Sequence, residues 1–272
     1  MTPFARACSI VCTAALALFS LFAHAAGFDV GVSPSRFEVS AQSGGRLGQS
    51  LTIFNQDSQG TELSVRTLDW DYSEQGEITF YDALRPGSCR PWFTLERRSL
   101  KIGARNKAAF RFQVDVPANA PVGECRIMLA IEGVQPAYQS MLQSGGASLS
   151  LPVNDRIAVA VYVAINGARP ALAIKGTRSV ESEGRRWPAV SVTNTGTAHG
   201  RLEGALDGKD ARGQRFELVP DGSPIMPGQT RIIVLKPRSL ADNSQPQVTL
   251  PIVASGALDW EHGSFKVDAE FP

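Results

Sequence analysis

The chain has 272 residues, of which 27 are Lys or Arg and 26 are Asp or Glu, for a formal net charge of +1. Such a balance offers no concentrated basic face, so we exclude nucleic acid as a partner. Hydrophobic residues make up 43% of the chain, which is typical of a globular protein and enough for one large or two ordinary cores.

The N-terminus, residues 1–25, has the features of a cleavable signal peptide. Arg6 supplies the positive end, residues 10–22 form an apolar stretch, and Ala23-His24-Ala25 offers a cleavage site. A single membrane-spanning anchor is the alternative, but the apolar stretch is short for that role. We expect export, a soluble mature chain that begins near Ala26, and no stable insertion into the membrane.

Short alternating segments separated by turn residues follow the signal peptide. Leu51 and Ile53 are two positions apart, and Phe110, Phe112 and Val114 alternate with polar residues. A period of two is typical of strands with one buried face. Helical patterning is almost absent from the chain.

Two cysteines remain after removal of the signal peptide, Cys89 and Cys125, because Cys8 and Cys12 leave with it. In an oxidising compartment we expect one structural disulfide between Cys89 and Cys125. A metal-bound or redox-active pair is the alternative. It would need further ligands, and both histidines of the mature chain are remote in sequence.

A change of pattern divides the mature chain in two. Residues 133–146 combine turn formers with no sustained period and predict a long mobile loop. The longest β-like run of the chain, residues 147–165, follows and ends at Asn166-Gly167. We therefore predict an N-terminal domain over residues 26–168 and a C-terminal domain over residues 169–272.

Valine-rich alternating segments recur in the second half, where glycines again mark the turns. About seven strands can be counted in each half. This count, with no helices, predicts an all-β fold of two tandem immunoglobulin-like β-sandwich domains in preference to a single barrel.

The sequence shows no catalytic or metal-binding constellation. His199 and His262 have no adjacent serine, cysteine or carboxylate pattern of known mechanics. Asp69 and Asp71 suggest a calcium pair, but no series of acidic ligands follows them, so we interpret both as solvated residues at a turn. We expect neither an enzyme nor a bound cofactor or metal.

Four regions of the mature chain follow one another in an informative order. They are Val32-Ser33-Pro34-Ser35-Arg36-Phe37, then Pro91-Trp92-Phe93, then the long loop with the segment up to Arg156, and finally the turns Asn194-Thr195-Gly196 and Pro224-Ile225-Met226-Pro227-Gly228. This order resembles that of the PapD-like periplasmic chaperones of the chaperone and usher pathway. Glu96-Arg97-Arg98 and the cysteine pair depart from many members, which indicates a divergent branch.

The resemblance implies a periplasmic chaperone that binds and caps pilus (fimbrial) subunits by donor-strand complementation and delivers them to an outer-membrane usher. Leu149, Leu151 and Val153 alternate along one face and would form the donated strand. Arg36 and Arg156 would meet in the cleft between the domains and bind the terminal carboxylate of the subunit. No cofactor is implied.

Plainer interpretations remain open at this point. The alternating leucines suit an ordinary core strand, and Arg156 has Asp155 beside it as a local ion-pair partner. The whole chain also suits a secreted structural or adhesive tandem β-sandwich protein without chaperone activity. An accessory pilus subunit is a third class, but residues 27–40 predict a complete first strand, which argues against it.

Overall fold

A computed structural model of the chain describes residues 28–134, 139–144, 147–152, 155–182 and 184–272, with the backbone alone in 139–144 and 147–152. The predicted signal peptide and Val153 lie outside these ranges. Within them, no helix combines the length and the apolar character that crossing a membrane requires.

The described residues form nineteen strands and one 3-10 helix at Arg90–Trp92. The strands are β1 (Val30–Ser33), β2 (Arg36–Ala41), β3 (Arg46–Asn55), β4 (Thr61–Tyr72), β5 (Ile78–Tyr81), β6 (Phe93–Leu95), β7 (Ser99–Ile102), β8 (Lys107–Asp115), β9 (Gly123–Gly133), β10 (Gln139–Ser144), β11 (Ala147–Pro152), β12 (Arg156–Ile165), β13 (Leu172–Ser182), β14 (Arg185–Asn194), β15 (Glu203–Lys209), β16 (Arg215–Pro220), β17 (Thr230–Arg238), β18 (Ile252–Trp260) and β19 (Gly263–Phe271).

The N-terminal domain is a sandwich of two sheets. One sheet has the order β1-β3-β8-β6, and the other has the order β2-β12-β9-β4-β5 with β7 also paired to β4. This is the division into ABED and CFG strands that defines the immunoglobulin fold. The alternating residues Leu51, Ile53, Phe110 and Phe112 are buried between the sheets, as their period predicted. The predicted fold class is confirmed.

The C-terminal domain contains the seven predicted strands. Their order in the sheet is β13-β14-β17-β16-β15-β18-β19. If these seven strands are lettered A to G in chain order, the order is A-B-E-D-C-F-G. The ABED and CFG groups are therefore joined into one sheet by the pairing of β16 with β15. Phe216, Ile233 and Phe271 lie in its separate core. The predicted division near residue 168 falls between the end of β12 and the start of β13, and it stays a prediction.

The first predicted strand is divided between the two sheets of the N-terminal domain. β1 ends at Ser33 and pairs antiparallel with β3, whereas β2 begins at Arg36 and pairs parallel with β12. Pro34 stands between them and has no N–H to continue a ladder. This division is one reason why the domain has more strands than the seven expected.

Two predictions for the region after β9 are wrong. Residues 139–144 were expected in a loop, but they form β10, which pairs antiparallel with β11. Main-chain pairing of this kind does not require an apolar period. The run 147–165 was expected to be one long strand, but β11 ends at Pro152 and β12 begins at Arg156.

The predicted disulfide is present. Cys89 immediately precedes the 3-10 helix, and Cys125 lies near the start of β9, with their Cα atoms 5.8 Å apart. The bond therefore ties the segment after β5 to a central strand of the sheet that faces the second domain.

Candidate functional site

The two domains meet on the outer face of the sheet that contains β12, β9 and β4. Trp70, Met128 and Tyr162 from these strands form a buried cluster with Met226, which comes from the C-terminal domain. The Trp70 ring packs edge-on against Tyr162, with 5.8 Å between their centroids, and against Tyr72 at 5.2 Å. Burial of this apolar surface favours contact between the domains.

A buried arginine adds a second contact between the domains. The Arg231 guanidinium lies 5.0 Å from the centroid of the Tyr72 ring, and its Nη1 donates a hydrogen bond to the carbonyl of Pro224 at 2.7 Å. Gln229 Nε2 donates to the carbonyl of Tyr72 at 3.0 Å. Gly76 in the turn after β4 leaves room for this arginine, because a Cβ there would lie 2.4 Å from Arg231 Nη2.

A charged cluster lies beside the apolar contact, in a cleft of about 480 Å³ between the domains. Its members, which we call the cleft cluster, are Arg36, Glu38 and Glu124 of the N-terminal domain and His199 and Arg201 of the C-terminal domain. Both domains thus contribute charge to one site.

His199 links the domains through Glu124, whose carboxylate is buried. The backbone N–H of His199 donates to Glu124 Oε2 at 3.1 Å, and the ring Nδ1 lies 2.5 Å from the same oxygen. The imidazole stacks on the Tyr162 ring, with 3.9 Å between centroids. Contacts on the face and the edge of the ring therefore fix its position.

Glu38 completes the cluster from the edge strand β2. Its Oε1 accepts a hydrogen bond from Arg36 Nε at 2.8 Å, pairs with Arg201 Nη1, and lies 3.5 Å from His199 Nε2. The hydrogen bond from His199, helped by the charges of Arg201 and Arg36, lowers the pKa of Glu38 to about 2. Burial acts to lower the pKa of His199, but hydrogen bonds to Glu124 and Glu38 outweigh it and raise that pKa.

These shifts predict that the contact between the domains is strongest at mildly acidic pH. The contribution of His199 is complete below its usual pKa of 6.5 and is lost as pH rises through its raised pKa in the folded chain. The contribution of Glu38 is complete above its usual 4.5 and is lost as pH falls toward 2. Urea-unfolding midpoints measured from pH 3 to 9 should show both losses.

His199→Gln should remove the loss on the alkaline side, because the glutamine does not titrate. His262→Gln is the matched control, since His262 lies in the C-terminal domain outside the cleft cluster, and it should leave the profile unchanged. Parallel profiles for the wild type and His199→Gln would contradict the role of His199.

The structure places the two predicted arginines on the same face of one sheet, but apart. In the parallel pairing of β2 with β12, Arg36 lies opposite Ala160. Ala160 is four residues after Arg156, so the backbone positions of the two arginines are ~13 Å apart along the strand direction. Arg156 Nε lies 2.5 Å from Glu132 Oε1, and its guanidinium lies 5.8 Å from the centroid of the Phe80 ring. A joint role in binding a carboxylate stays a prediction.

The predicted donor residues lie in or beside the hairpin of β10 and β11. Leu149 is opposite Leu142, and Leu151 is opposite Ser140. Val153 lies outside the described residues. Donation of this strand to a partner stays a prediction.

The interpretation of Asp69 as a solvated residue is wrong, whereas Asp71 keeps about a third of its side chain exposed. Asp69 is buried and accepts hydrogen bonds from Ser88 Oγ at 2.6 Å and from the N–H of Arg85 at 3.0 Å, and Asp71 pairs with Arg126 at 3.2 Å. The two carboxylates are therefore engaged by the segment after β5 and by β9. Among the described residues, no group of three or more His, Cys, Asp or Glu is placed to hold a metal ion.

No protein-family model matches the chain, and no curated protein matches it. Among solved structures, it is similar to the class 5 fimbriae chaperone CfaA, with a TM-score of 0.46 and 10% identity over 88% of this chain and 98% of that one. It is similar to the Pseudomonas aeruginosa CupB2 chaperone, with a TM-score of 0.45 and 10% identity over 89% and 100%. A third is the Salmonella enterica SafA pilin in complex with the SafB chaperone, with a TM-score of 0.45 and 14% identity over 90% and 98%.

Proposed function

We propose that this chain is a periplasmic chaperone that binds and caps pilus subunits by lending them a β-strand, and delivers them to an outer-membrane usher. The feature that supports this most is the open edge of β12. Residues 156–159 pair with β9 on one side, whereas pairing with β2 begins only at Ala160. In the part of the chain that the structure describes, no strand lies on the other side of residues 156–159.

An open edge has unpaired N–H and C=O groups that can bind an extended segment of another chain. Natural proteins usually blunt such an edge with charge, and Arg156 stands at its first position. A partner strand added here would gain main-chain hydrogen bonds without any rearrangement of the sandwich core.

β11 leads directly into this edge and supports the same function. Its sequence, Ala147–Pro152, has leucines at positions 149 and 151 and serines at positions 148 and 150. In an extended strand these two sets point to opposite faces. Among the described residues, β11 pairs with β10 and with neither sandwich sheet. A strand in this position is available to a subunit whose own sandwich lacks one.

Copurification with candidate subunits tests the proposal. The mature chain, tagged and co-expressed in a periplasm, should form a one-to-one complex with its subunit. Leu151→Glu should abolish the complex, because the new charge would enter an apolar groove of the subunit. Ser150→Glu is the matched control, since it adds the same charge on the opposite face, and it should retain most of the complex.

The arginines are tested in the same assay. Arg36→Ala and Arg156→Ala should each weaken the complex at least about tenfold if each binds the subunit carboxylate. Arg178→Ala, an exposed arginine of β13, is the control for loss of positive charge. Circular dichroism must show that each variant is folded. If no subunit copurifies, or if Leu151→Glu and Ser150→Glu behave alike, the chain is not a strand-lending chaperone.

A further inference from the structure

One sheet face of the N-terminal domain is open to solvent in the part of the chain that the structure describes. It is the outer face of the sheet β1-β3-β8-β6, since the other sheet faces the C-terminal domain. A Cβ added at Gly48 on this face would meet no atom within 4 Å. The middle of the face is therefore flat, because its exposed side chains are small. They are those of Gly48, Ser50, Thr94 and Ala109.

Exposed cationic side chains surround this flat area, and we call the whole surface the basic face. Arg97 lies among them: its Nη2 donates to the carbonyl of Ala109 at 2.7 Å, and Ala109 stands between Lys107 and Arg111 on β8. Most of the cations come from residues 97–111, a segment without any Asp or Glu. The cations of the basic face are Arg46, Arg97, Arg98, Arg105, Lys107 and Arg111.

Only part of this positive charge is compensated within the chain. Arg98, Arg105 and Lys107 form no ion pair with any described residue, although Asp57 is near, since its carbonyl accepts a hydrogen bond from the N–H of Arg105. Six cations thus face three carboxylates, a local excess that the near-zero net charge of the whole chain conceals. The ion pairs on the face are Arg97–Glu96 at 3.2 Å, Arg111–Glu96 at 3.7 Å and Arg46–Asp115 at 2.5 Å.

An aromatic side chain lies on the same face. Phe54 is opposite Lys107 in the pairing of β3 with β8, and it is partly exposed. Residues that are opposite each other in neighbouring strands have their side chains on the same side of the sheet. Cations beside a partly exposed aromatic ring are typical of protein surfaces that lie on a membrane at the level of the headgroups.

We propose that the basic face binds the surface of a membrane that contains anionic phospholipids. A bilayer fits this face better than an acidic protein does, because the small side chains in its middle offer no projecting group that would interlock with a folded partner. Lipid headgroups are mobile and need no such fit, and each exposed Lys or Arg near an anionic surface adds attraction. The chain would lie on the membrane without crossing it. This inference does not depend on the proposed function.

Cosedimentation with vesicles tests the inference. The mature chain should bind vesicles of phosphatidylglycerol and phosphatidylcholine at low ionic strength but not vesicles of phosphatidylcholine alone, and salt should release it by screening the exposed charges. Lys107→Glu/Arg98→Glu should weaken binding at least about tenfold, because two attracted charges become repelled ones. Lys175→Glu/Arg178→Glu is the matched control, since it makes the same change in charge at exposed positions of β13 in the other domain, and it should retain most of the binding.

Binding that requires both the anionic lipid and the cations of the basic face supports the inference. Absence of binding to the phosphatidylglycerol vesicles, or equal losses in the two double variants, overturns it. Polyglutamate that competes as strongly as the vesicles, per negative charge, would assign the face to an acidic protein and overturns it as well. Circular dichroism must show that the variants are folded, and Lys107→Gln/Arg98→Gln replaces the first variant if that one unfolds. The vesicles contain no client, so the result is independent of subunit copurification.

Discussion

Replacing both Cys89 and Cys125 with serine is expected to lower the free energy of unfolding of the mature chain by about 3–4 kcal/mol. The two residues are separated by 36 positions, and the disulfide stabilises the fold by restricting that loop in the unfolded chain. Both cysteines are buried in the core of the N-terminal domain. Urea unfolding followed by tryptophan fluorescence measures the loss.

Reduction of the wild type provides the control for this double substitution. The reduced wild type and the Cys89→Ser/Cys125→Ser variant should unfold at similar urea concentrations, because both lack the same constraint. A loss below about 1 kcal/mol would show that the loop is already restricted in the unfolded state and would contradict the expectation.

Met226→Ala is expected to cost about 2–5 kcal/mol, the range for truncation of a large buried aliphatic side chain to alanine. Met226 belongs to the C-terminal domain but is buried among Trp70, Met128 and Tyr162 of the N-terminal domain. The loss should therefore fall on the contact between the domains. Calorimetry should show one unfolding transition in the wild type and two in the variant.

Ile225→Ala is the matched control for this effect. Ile225 is the preceding residue and is equally buried, but it packs in the core of the C-terminal domain alone. Its truncation should destabilise that domain while the N-terminal domain remains as stable as before. If the two variants give the same calorimetric profile, Met226 does not couple the domains.

Much of the fold is predictable from the period of two in the sequence. Residues such as Phe110 and Phe112 must share one face of a strand, and burial of that face against a second sheet follows from their apolar character. The disulfide is predictable because export leaves only one possible pair. These features depend on local pattern or on counting, which one sequence contains.

The cleft cluster is different, because no local pattern encodes it. His199 contacts Glu124 across 75 residues, and Arg201 contacts Glu38 across 163. No spacing in the sequence marks Glu124 as a partner of His199, or Glu38 as a partner of Arg201. From the sequence alone we therefore predicted no role for His199. The one local indication was that Glu124 precedes Cys125, because the disulfide holds the start of β9, and with it Glu124, in a fixed position. Only the docking of two folded domains brings these charges together.

The parallel pairing of β2 with β12 has a consequence for the rate of folding. This pairing joins the two strands of the sheet that are furthest apart in the sequence. Close to it, the N–H of Ser43 donates a hydrogen bond to Asn166 Oδ1, which is 123 residues later in the chain. Such high contact order places folding of the domain in a range of roughly milliseconds to seconds, slow for its size. Until that closure, the edge of β12 that faces away from β9 is unpaired along its whole length. The chain is then most open to aggregation before it ever meets a partner.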